Sequence, residues 1–284
     1  MCSSDLLRRI MSQAVTSYAY RVNDHLPQNT REKTNLIDLP KALAQIHFPD
    51  SNEDLDLAKD RLTFDEIFLL QIGVSQQKRA WQEREARKFW VDDEWMTDLI
   101  NSLPFKLTSA QQKVFQDICS DLSLGKPMNR LVQGDVGSGK TVVAALSITI
   151  IAKSGAQSAI MAPTSILAEQ HYKNMLRLLT STESKGISLE SEETSQVQPV
   201  LAPDQICLLV GATPEQEKQN ILAGLKEGKI KVVIGTHALI EEPVSFSDLQ
   251  LVVVDEQHRF GVEQRANLRE KGDNAHLLVM TATP

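Results

Sequence analysis

A glycine-rich stretch near the middle of the chain has the residue types needed to hold a polyphosphate. It matches the pattern G-x-x-x-x-G-K-[ST] in full and reads Gly134-Asp135-Val136-Gly137-Ser138-Gly139-Lys140-Thr141. An apolar run precedes it at residues 131–133 and a helical pattern follows it at 140–153, which is the strand–loop–helix context that the pattern requires. The glycines allow backbone N–H groups to converge on one phosphate, and the amino end of the helix adds partial positive charge.

This stretch predicts a site for ATP and Mg²⁺. We expect Lys140 to reach the β- and γ-phosphates and the Thr141 hydroxyl to coordinate Mg²⁺. The alternative is a glycine-rich turn that binds nothing. That alternative does not explain why the strand, the Lys-Thr pair and the helix occur together.

Two adjacent acids, Asp255 and Glu256, come directly after the apolar residues 251–254. In α/β folds, ligands bind at the carboxyl ends of parallel strands. We expect Asp255 to hold Mg²⁺ through water and Glu256 to orient and deprotonate an attacking water molecule. A solvated loop after a core strand is the alternative, and the complete phosphate-binding motif in the same chain favours the catalytic interpretation.

Two further patterns are less specific. Thr281 and Thr283 follow the apolar residues 277–280, where their hydroxyls could bond to the acidic pair and sense the γ-phosphate; an ordinary polar turn would look the same. Upstream of the glycine-rich stretch, Thr108 and Gln111 have the spacing of a helix capping box, which needs no ligand.

The elements that must position these residues alternate between apolar runs and amphipathic stretches from about residue 105 onwards. Apolar strands that alternate with helices predict a parallel sheet covered on both faces, so the predicted fold is a three-layer α/β lobe. The apolar runs are 131–133, 159–161, 206–210, 231–234, 251–254 and 277–280, and the helical patterns are 140–153, 164–179 and 214–227.

The sequence before the lobe reads differently. Residues 1–25 show no clear period, 27–40 are polar and loop-like, and 41–100 have mainly helical patterns. Within the last range, Thr63 and Glu66 have capping-box spacing and predict a helix that starts near Phe64. Inside the lobe, residues 180–204 are acidic and rich in Ser and Thr, which predicts a mobile surface insertion.

Bulk composition indicates a globular chain with room for about two domains. It has 284 residues, 42% of them hydrophobic, with neither an apolar run of membrane-spanning length nor a secretory signal, so we expect a cytoplasmic protein without membrane contact. The three cysteines lie far apart, which predicts reduced thiols. The net charge of −7 argues mildly against a nucleic-acid partner, although it leaves a local basic face possible.

Taken together, these motifs resemble those of the superfamily 2 helicases, and the match favours the RecG branch over the transcription-repair coupling factor and the primosomal helicase PriA. The matching segments within the lobe are GDVGSGKT (134–141), APTSILAEQH (162–171), IGTHALI (234–240), DEQHRFGVEQR (255–265) and TATP (281–284). The upstream segments that favour the RecG branch are ALAQIHFP (42–49), AKDRLTFDEIF (58–68) and LPFKLTSAQ (103–111).

This resemblance implies a RecA-like P-loop lobe, preceded by a helical linker, that couples ATP hydrolysis to movement on branched double-stranded DNA such as stalled forks and Holliday junctions. It also implies that Gln111 reads adenine, a role compatible with capping. The residues implied to line the DNA track are Pro163, Thr164, Ser165, Gly235, Thr236 and His237. Thr164 and Ser165 could instead cap the helix that follows. The residues implied to couple ATP to DNA movement are Gln257, His258, Arg259, Thr281 and Thr283.

The resemblance also implies a division of the chain. Residues 1–25 would end an upstream wedge domain of the OB-fold class, 26–102 would form the helical linker, and 103–284 would form the ATP-binding lobe. Because the family continues into a second RecA-like lobe that supplies an arginine finger, we expect this chain to be a monomeric, weakly active fragment. Two alternatives stay open, namely a nucleotide-binding module without motor activity and a superfamily 2 RNA helicase.

Overall fold

The computed structural model describes residues 3–101, 103, 105–180, 201–256 and 260–282. The chain divides into two compact units, Met1–Ala80 and Trp81–Pro284. Residues of the range 81–101, such as Phe89 and Leu99, belong to the core of the second unit. The division into 1–25, 26–102 and 103–284 stays a prediction.

The first unit is helical. Its helices are α1 (Ser3–Tyr18), α2 (Gln28–Thr34), α3 (Leu39–His47) and α4 (Asn52–Gln82), the last of which runs across the boundary into the second unit. The Asp38 carboxylate caps α3 by accepting from the N–H of Lys41 at 2.7 Å.

Two predictions for this unit are wrong. Residues 27–40 are not a continuous loop, because α2 occupies half of them. The predicted helix start near Phe64 is also wrong, since Thr63 lies inside α4 and the helix begins at Asn52. The cap of α4 is Ser51, whose hydroxyl accepts from the N–H of Asp54 at 3.1 Å. Capping-box spacing marks a helix start only where the preceding turn is not itself helical.

The fully buried Arg61 of α4 pairs with two carboxylates within the first unit. Its guanidinium makes a two-pronged contact with Asp24, with Nη1 and Nη2 at 2.8 and 2.7 Å from the two carboxylate oxygens. Its Nε donates to Asp65, 3.1 Å away, and its Nη1 also donates to the carbonyl oxygen of Ile37. The hydrogen bond from Arg61 is the main cause of the lowered pKa of Asp24.

The second unit confirms the predicted three-layer α/β lobe. Its strands form one six-stranded sheet in the order β1-β6-β5-β2-β4-β3, and every pair of neighbours is parallel. The strands are β1 (Asn129–Gln133), β2 (Gln157–Met161), β3 (Ile206–Leu209), β4 (Val232–Gly235), β5 (Leu249–Asp255) and β6 (His276–Thr281). The helices are α5 (Asp93–Asn101), α6 (Ser109–Ser123), α7 (Lys140–Lys153), α8 (Ser165–Thr180), α9 (Glu215–Lys226) and α10 (Val262–Glu270).

The inner strands of the sheet are buried on both faces, as side chains along β5 demonstrate. Leu251 and Val253 belong to one hydrophobic cluster, with residues of α6, α7 and α8. Val252 and Val254 belong to a second cluster, with residues of α9 and α10. Because successive side chains of a strand point to opposite faces, this alternation places a helical layer on each side of the sheet.

At the amino-terminal ends of the strands, the fully buried His276 begins β6 and forms two hydrogen bonds to backbone groups. Its Nδ1 accepts from the N–H of Met128, 3.0 Å away, so the ring hydrogen lies on Nε2 and is donated to the carbonyl oxygen of Arg87, 3.1 Å away. Nearby, the Arg269 guanidinium stacks 3.3 Å from the ring centre of Trp81. Burial lowers the pKa of Arg269 to about 9.

Other expectations concern cysteines, membrane contact and the insertion. Cys119 and Cys207 are free, and burial raises the pKa of both thiols to about 12. No described helix is long and apolar enough to cross a bilayer. Most of the predicted insertion at 180–204 lies outside the described residues, but Leu201 is buried and a short turn at Pro203–Gln205 leads into β3.

Candidate functional site

The predicted nucleotide-binding residues follow three strands that are neighbours in the sheet. Gln133, at the end of β1, pairs with Thr281, at the end of β6, and Asp255, at the end of β5, pairs with Met280. The N–H of Gly134 donates to the carbonyl oxygen of Thr281 at 3.2 Å. The glycine-rich loop, Thr281 and the acidic pair therefore share one edge of the sheet, although they lie far apart in sequence.

The glycine-rich loop has a conformation that its glycines make possible. Gly137 and Gly139 have φ angles of 84° and 83°, in the left-handed region that residues with a Cβ adopt at a cost. Gly139 precedes α7, and no described side chain caps that end of the helix. The ammonium group of Lys140 donates to the carbonyl oxygens of Gly134 and Asp135 at 2.6 and 2.9 Å. A cation and an uncapped helix end converge here, as anion binding requires.

Gln111 connects the start of α6 to this loop. Its Oε1 accepts from the N–H of Thr108 at 2.9 Å, and the Thr108 hydroxyl accepts from the N–H of Gln111 at 3.3 Å, which confirms the capping box. Its Nε2 donates to the carbonyl oxygen of Ser138, 2.8 Å away. A Cβ placed on Gly139 would collide with this amide nitrogen. Gln111 thus lies directly against the loop, and adenine reading stays a prediction.

The acidic pair lies where β5 ends. Asp255 is the last residue of the strand, and its side chain is 14% exposed. Glu256 has a φ of 53° and its N–H donates to the carbonyl oxygen of Met280, 2.9 Å away. A left-handed conformation costs a residue with a side chain roughly 1–2 kcal/mol, and such conformations cluster at functional sites.

One residue of this site escaped the sequence analysis. His171 of α8 lies with its Nε2 2.8 Å from Oδ2 of Asp255, although the two residues are 84 positions apart. It lies on the buried stripe of α8 that also carries Ala168, Met175 and Leu179. A histidine at the i+3 position of an otherwise apolar stripe is a detectable signal, but the sequence does not identify its partner.

The residues predicted to contact nucleic acid follow β2 and β4, the next strands along the same edge. The N–H of Ala162 donates to the carbonyl oxygen of Gly235 at 2.8 Å, which joins the two turns. Thr164 accepts from the N–H of Leu167 through its hydroxyl at 3.3 Å, so the capping alternative holds for Thr164. The buried Thr236 hydroxyl has no hydrogen-bond partner within the described part of the chain. The exposed members of this set are Thr164, Ser165 and His237. Pro163 is half-buried and Gly235 is buried.

Several predicted coupling residues, namely Gln257, His258, Arg259 and Thr283, lie outside the described residues. Thr281 is among the residues that the structure describes, and it is the last residue of β6.

The donor set at this edge suits a Mg²⁺ ion shared with a polyphosphate. The Thr141 hydroxyl and the Asp255 carboxylate are hard oxygen donors, which Mg²⁺ prefers. The described residues contain no group of three or more His, Cys, Asp or Glu that could hold a metal ion by themselves. Mg²⁺ is commonly bound by one or two protein ligands together with substrate phosphates, so the residues present fit this ion.

Comparisons with known proteins agree with this geometry. The family model of the DEAD/DEAH box helicases matches residues 108–284. The chain is 45% identical over 283 residues to the ATP-dependent DNA helicase RecG of Synechocystis sp., covering 99% of the chain and 32% of that protein. It is 41% identical to the RecG of Thermotoga maritima, covering 99% of the chain and 34% of the relative.

A solved structure is also similar over the whole chain. The structure described as RecG bound to a three-way DNA junction matches with a TM-score of 0.75 and 38% sequence identity. The match covers 100% of the chain and 35% of that structure's chain. The chain thus spans about a third of the length of the relatives it matches.

Proposed function

The chain belongs to the DEAD/DEAH box helicase family, and from this premise we propose that it is the ATP-binding lobe of a helicase that remodels branched DNA. The observation that carries the proposal is the shared edge of the sheet. There the glycine-rich loop, Asp255 and Thr281 follow the neighbouring strands β1, β5 and β6. The resemblance to RecG proteins, first indicated by the motifs, is confirmed by the identities over nearly the whole chain.

In this proposal the loop residues 134–141 bind the phosphates of ATP through backbone N–H groups and the amino end of α7. Lys140 leaves its contacts with the two loop carbonyls and binds the β- and γ-phosphate oxygens. Gln111, already against the loop, reads adenine. Mg²⁺, when bound, neutralises charge on the phosphates, and Thr141 and Asp255 are the residues that would hold it.

The proposed chemistry is hydrolysis of the terminal phosphoanhydride bond. Glu256 orients a water molecule and accepts its proton as the water oxygen attacks the γ-phosphorus in line with the bond that breaks. The products are ADP and inorganic phosphate. Thr281 lies one strand from the acidic pair, a place from which its hydroxyl would sense whether the γ-phosphate is still present.

The proposed partner is branched double-stranded DNA. The similar RecG proteins are named as DNA helicases, and the similar structure holds a three-way junction. The residues at 163–165 and 235–237 form the proposed DNA track, because their turns adjoin the nucleotide residues along one sheet edge. A second RecA-like lobe completes the ATP cleft in this proposal, and the protein acts as a cytoplasmic monomer.

ATP hydrolysis by this chain, measured with forked DNA, linear duplex or structured RNA, tests the proposal. We expect slow hydrolysis that Lys140→Ala abolishes, because an arginine from a second lobe contributes about 10³–10⁵-fold in related phosphoryl transfer. Fast, fork-stimulated hydrolysis would contradict the requirement for a second lobe. Stronger stimulation by structured RNA than by forked DNA would contradict the choice of DNA. Unchanged hydrolysis in Lys140→Ala would contradict the assigned ATP site.

A further inference from the structure

We propose that His171 is a positioning residue that fixes the carboxylate of Asp255 for Mg²⁺. The proposal rests on the proposed function, because it assumes that Asp255 holds the ion of a bound nucleotide. His171 lies on α8 and belongs neither to the phosphate-binding loop nor to the acidic pair.

The position of His171 is fixed by the core of the lobe. It is 8% exposed and lies on the same stripe of α8 as Ala168 and Met175, both of which are fully buried. A buried side chain on a packed helix loses most of its rotamer freedom, so its ring nitrogen approaches β5 from a defined direction. A loop residue could not hold a partner with the same precision.

The contact with Asp255 has the geometry of a strong hydrogen bond. The distance of 2.8 Å from Nε2 to Oδ2 is within the range of charge-assisted bonds. An ionised carboxylate only accepts, so the ring hydrogen of this contact lies on Nε2. With Oδ2 engaged by His171, Oδ1 is the oxygen that the proposal assigns to the ion and its water shell.

The second ring nitrogen argues against a purely structural histidine. Nδ1 of His171 is buried and has no hydrogen-bond partner within the described ranges. By contrast, both ring nitrogens of the buried His276 are hydrogen-bonded to backbone groups, as expected of a histidine that serves the fold. The carboxylate of Asp255 is therefore the polar contact that accounts for a histidine at position 171. Hydrogen bonds to carboxylates that ligate metals orient them, and losing such a partner typically costs about 10–100-fold in metal affinity or activity.

The test is a Mn²⁺ titration of the chain saturated with a non-hydrolysable ATP analogue, with free Mn²⁺ followed by electron paramagnetic resonance. His171→Gln keeps an amide N–H at about the reach of Nε2, whereas His171→Asn and His171→Leu do not. We expect the Asn and Leu variants to bind Mn²⁺ about 10–100-fold more weakly and the Gln variant to stay within a few-fold of wild type. Affinity for the analogue without metal should change by less than about twofold in all three, because the contact is with the metal-holding carboxylate.

Two controls make the result specific. His276→Gln changes a buried histidine at the opposite edge of the sheet and should leave Mn²⁺ affinity unchanged. In an Asp255→Asn background, His171→Leu should have no further effect, because the route from His171 to the ion is gone. Thermal unfolding of each variant identifies any that fails to fold, and Mn²⁺ affinities are compared among the folded variants.

The outcomes separate this proposal from the proposed function. Unchanged Mn²⁺ affinity in folded His171→Leu and His171→Asn overturns the positioning role while leaving ATP binding intact. An equal loss in the wild-type and Asp255→Asn backgrounds also overturns it, because the effect would not pass through Asp255. If wild type binds no analogue, or Lys140→Ala binds it equally well, the proposed function fails first.

Discussion

Acidification should destabilise the lobe through one buried side chain, His276. Burial lowers the pKa of His276 below its ordinary value of 6.5, and the nearby Arg269 charge lowers it further. The hydrogen bond to the carbonyl of Arg87 and the charge of Asp121 act in the opposite direction, with smaller effects than burial. The net direction is downward, so the folded lobe binds this proton less readily than the unfolded chain.

The sign of the effect follows from this difference. Below pH 6.5 and above the lowered folded pKa, the unfolded chain binds more protons, so the free energy of unfolding rises with pH. The stabilisation is complete above pH 6.5 and is lost as the pH falls through that value towards the folded pKa. One group contributes at most about 1.4 kcal/mol per pH unit. Structurally, a proton on Nδ1 leaves the buried N–H of Met128 without its acceptor, which costs about 1–3 kcal/mol.

The assay is urea unfolding at pH 7.5, 6.5 and 5.5, followed by tryptophan fluorescence. All three tryptophans (81, 90 and 95) lie in the second unit, so the signal reports that unit. His276→Gln is the informative variant, because its amide oxygen can accept from Met128 and its amide N–H can donate to Arg87. Because the window between pH 6.5 and 5.5 is one pH unit wide, we expect wild type to lose up to about 1.4 kcal/mol more than His276→Gln does between pH 7.5 and 5.5.

His237→Gln, which replaces an exposed histidine, should follow wild type across this range. The reasoning would be refuted if wild type and His276→Gln lost stability in parallel. A larger loss in His276→Gln would refute it equally.

Two further predictions concern a buried ion pair and a loop glycine. Arg61→Leu removes a fully buried guanidinium that pairs with both Asp24 and Asp65, and should lower the free energy of unfolding by about 3 kcal/mol, measured by circular dichroism at 222 nm. Lys59→Leu at an exposed pair should change it by less than about 1 kcal/mol, and equal losses would contradict this. Gly139→Ala and Gly155→Ala both place a Cβ at positive φ and should each cost about 1–2 kcal/mol in thermal unfolding. Only Gly139→Ala also meets the Gln111 amide and should weaken binding of a fluorescent ATP analogue, so equal affinities would argue against the assigned loop.

The sheet could be predicted because its four inner strands, β2, β4, β5 and β6, are short runs of almost entirely buried residues, while the edge strands β1 and β3 still contain apolar runs. Each of the six apolar runs became a strand, and the predicted helix at 140–153 has the bounds of α7. Inner strands of a doubly covered parallel sheet have no polar face, so their runs stand out from their surroundings.

The first unit was harder to predict because its helices do not all have an apolar stripe. Helix α2, with the sequence QNTREKT, has no buried residue and is supported locally by a bond from Gln28 to Glu32 at 2.9 Å. Helix α1 carries exposed Leu6, Leu7 and Ile10, so its apolar side chains do not mark a core face. Periodicity detects burial, and these helices bury little.

The site contains both local features, which the sequence predicts, and long-range contacts, which it does not. The glycine-rich loop could be predicted because its motif consists of eight consecutive residues. The contacts of Gln111 with Ser138 and of His171 with Asp255 span 27 and 84 positions. They depend on the strand order, which brings β1, β6 and β5 together and which the sequence pattern does not specify.

The central claim is that residues 134–141 bind the phosphates of ATP, and a titration with a fluorescent ATP analogue in the presence of Mg²⁺ tests it most directly. Lys140→Ala removes a cation expected to make charge-assisted hydrogen bonds worth about 1.5–3 kcal/mol each, so we predict an affinity at least about tenfold weaker than wild type. Lys113→Ala, which removes an exposed lysine of α6, should bind as wild type does. Equal binding by the Lys140→Ala, Lys113→Ala and wild-type chains would contradict the account.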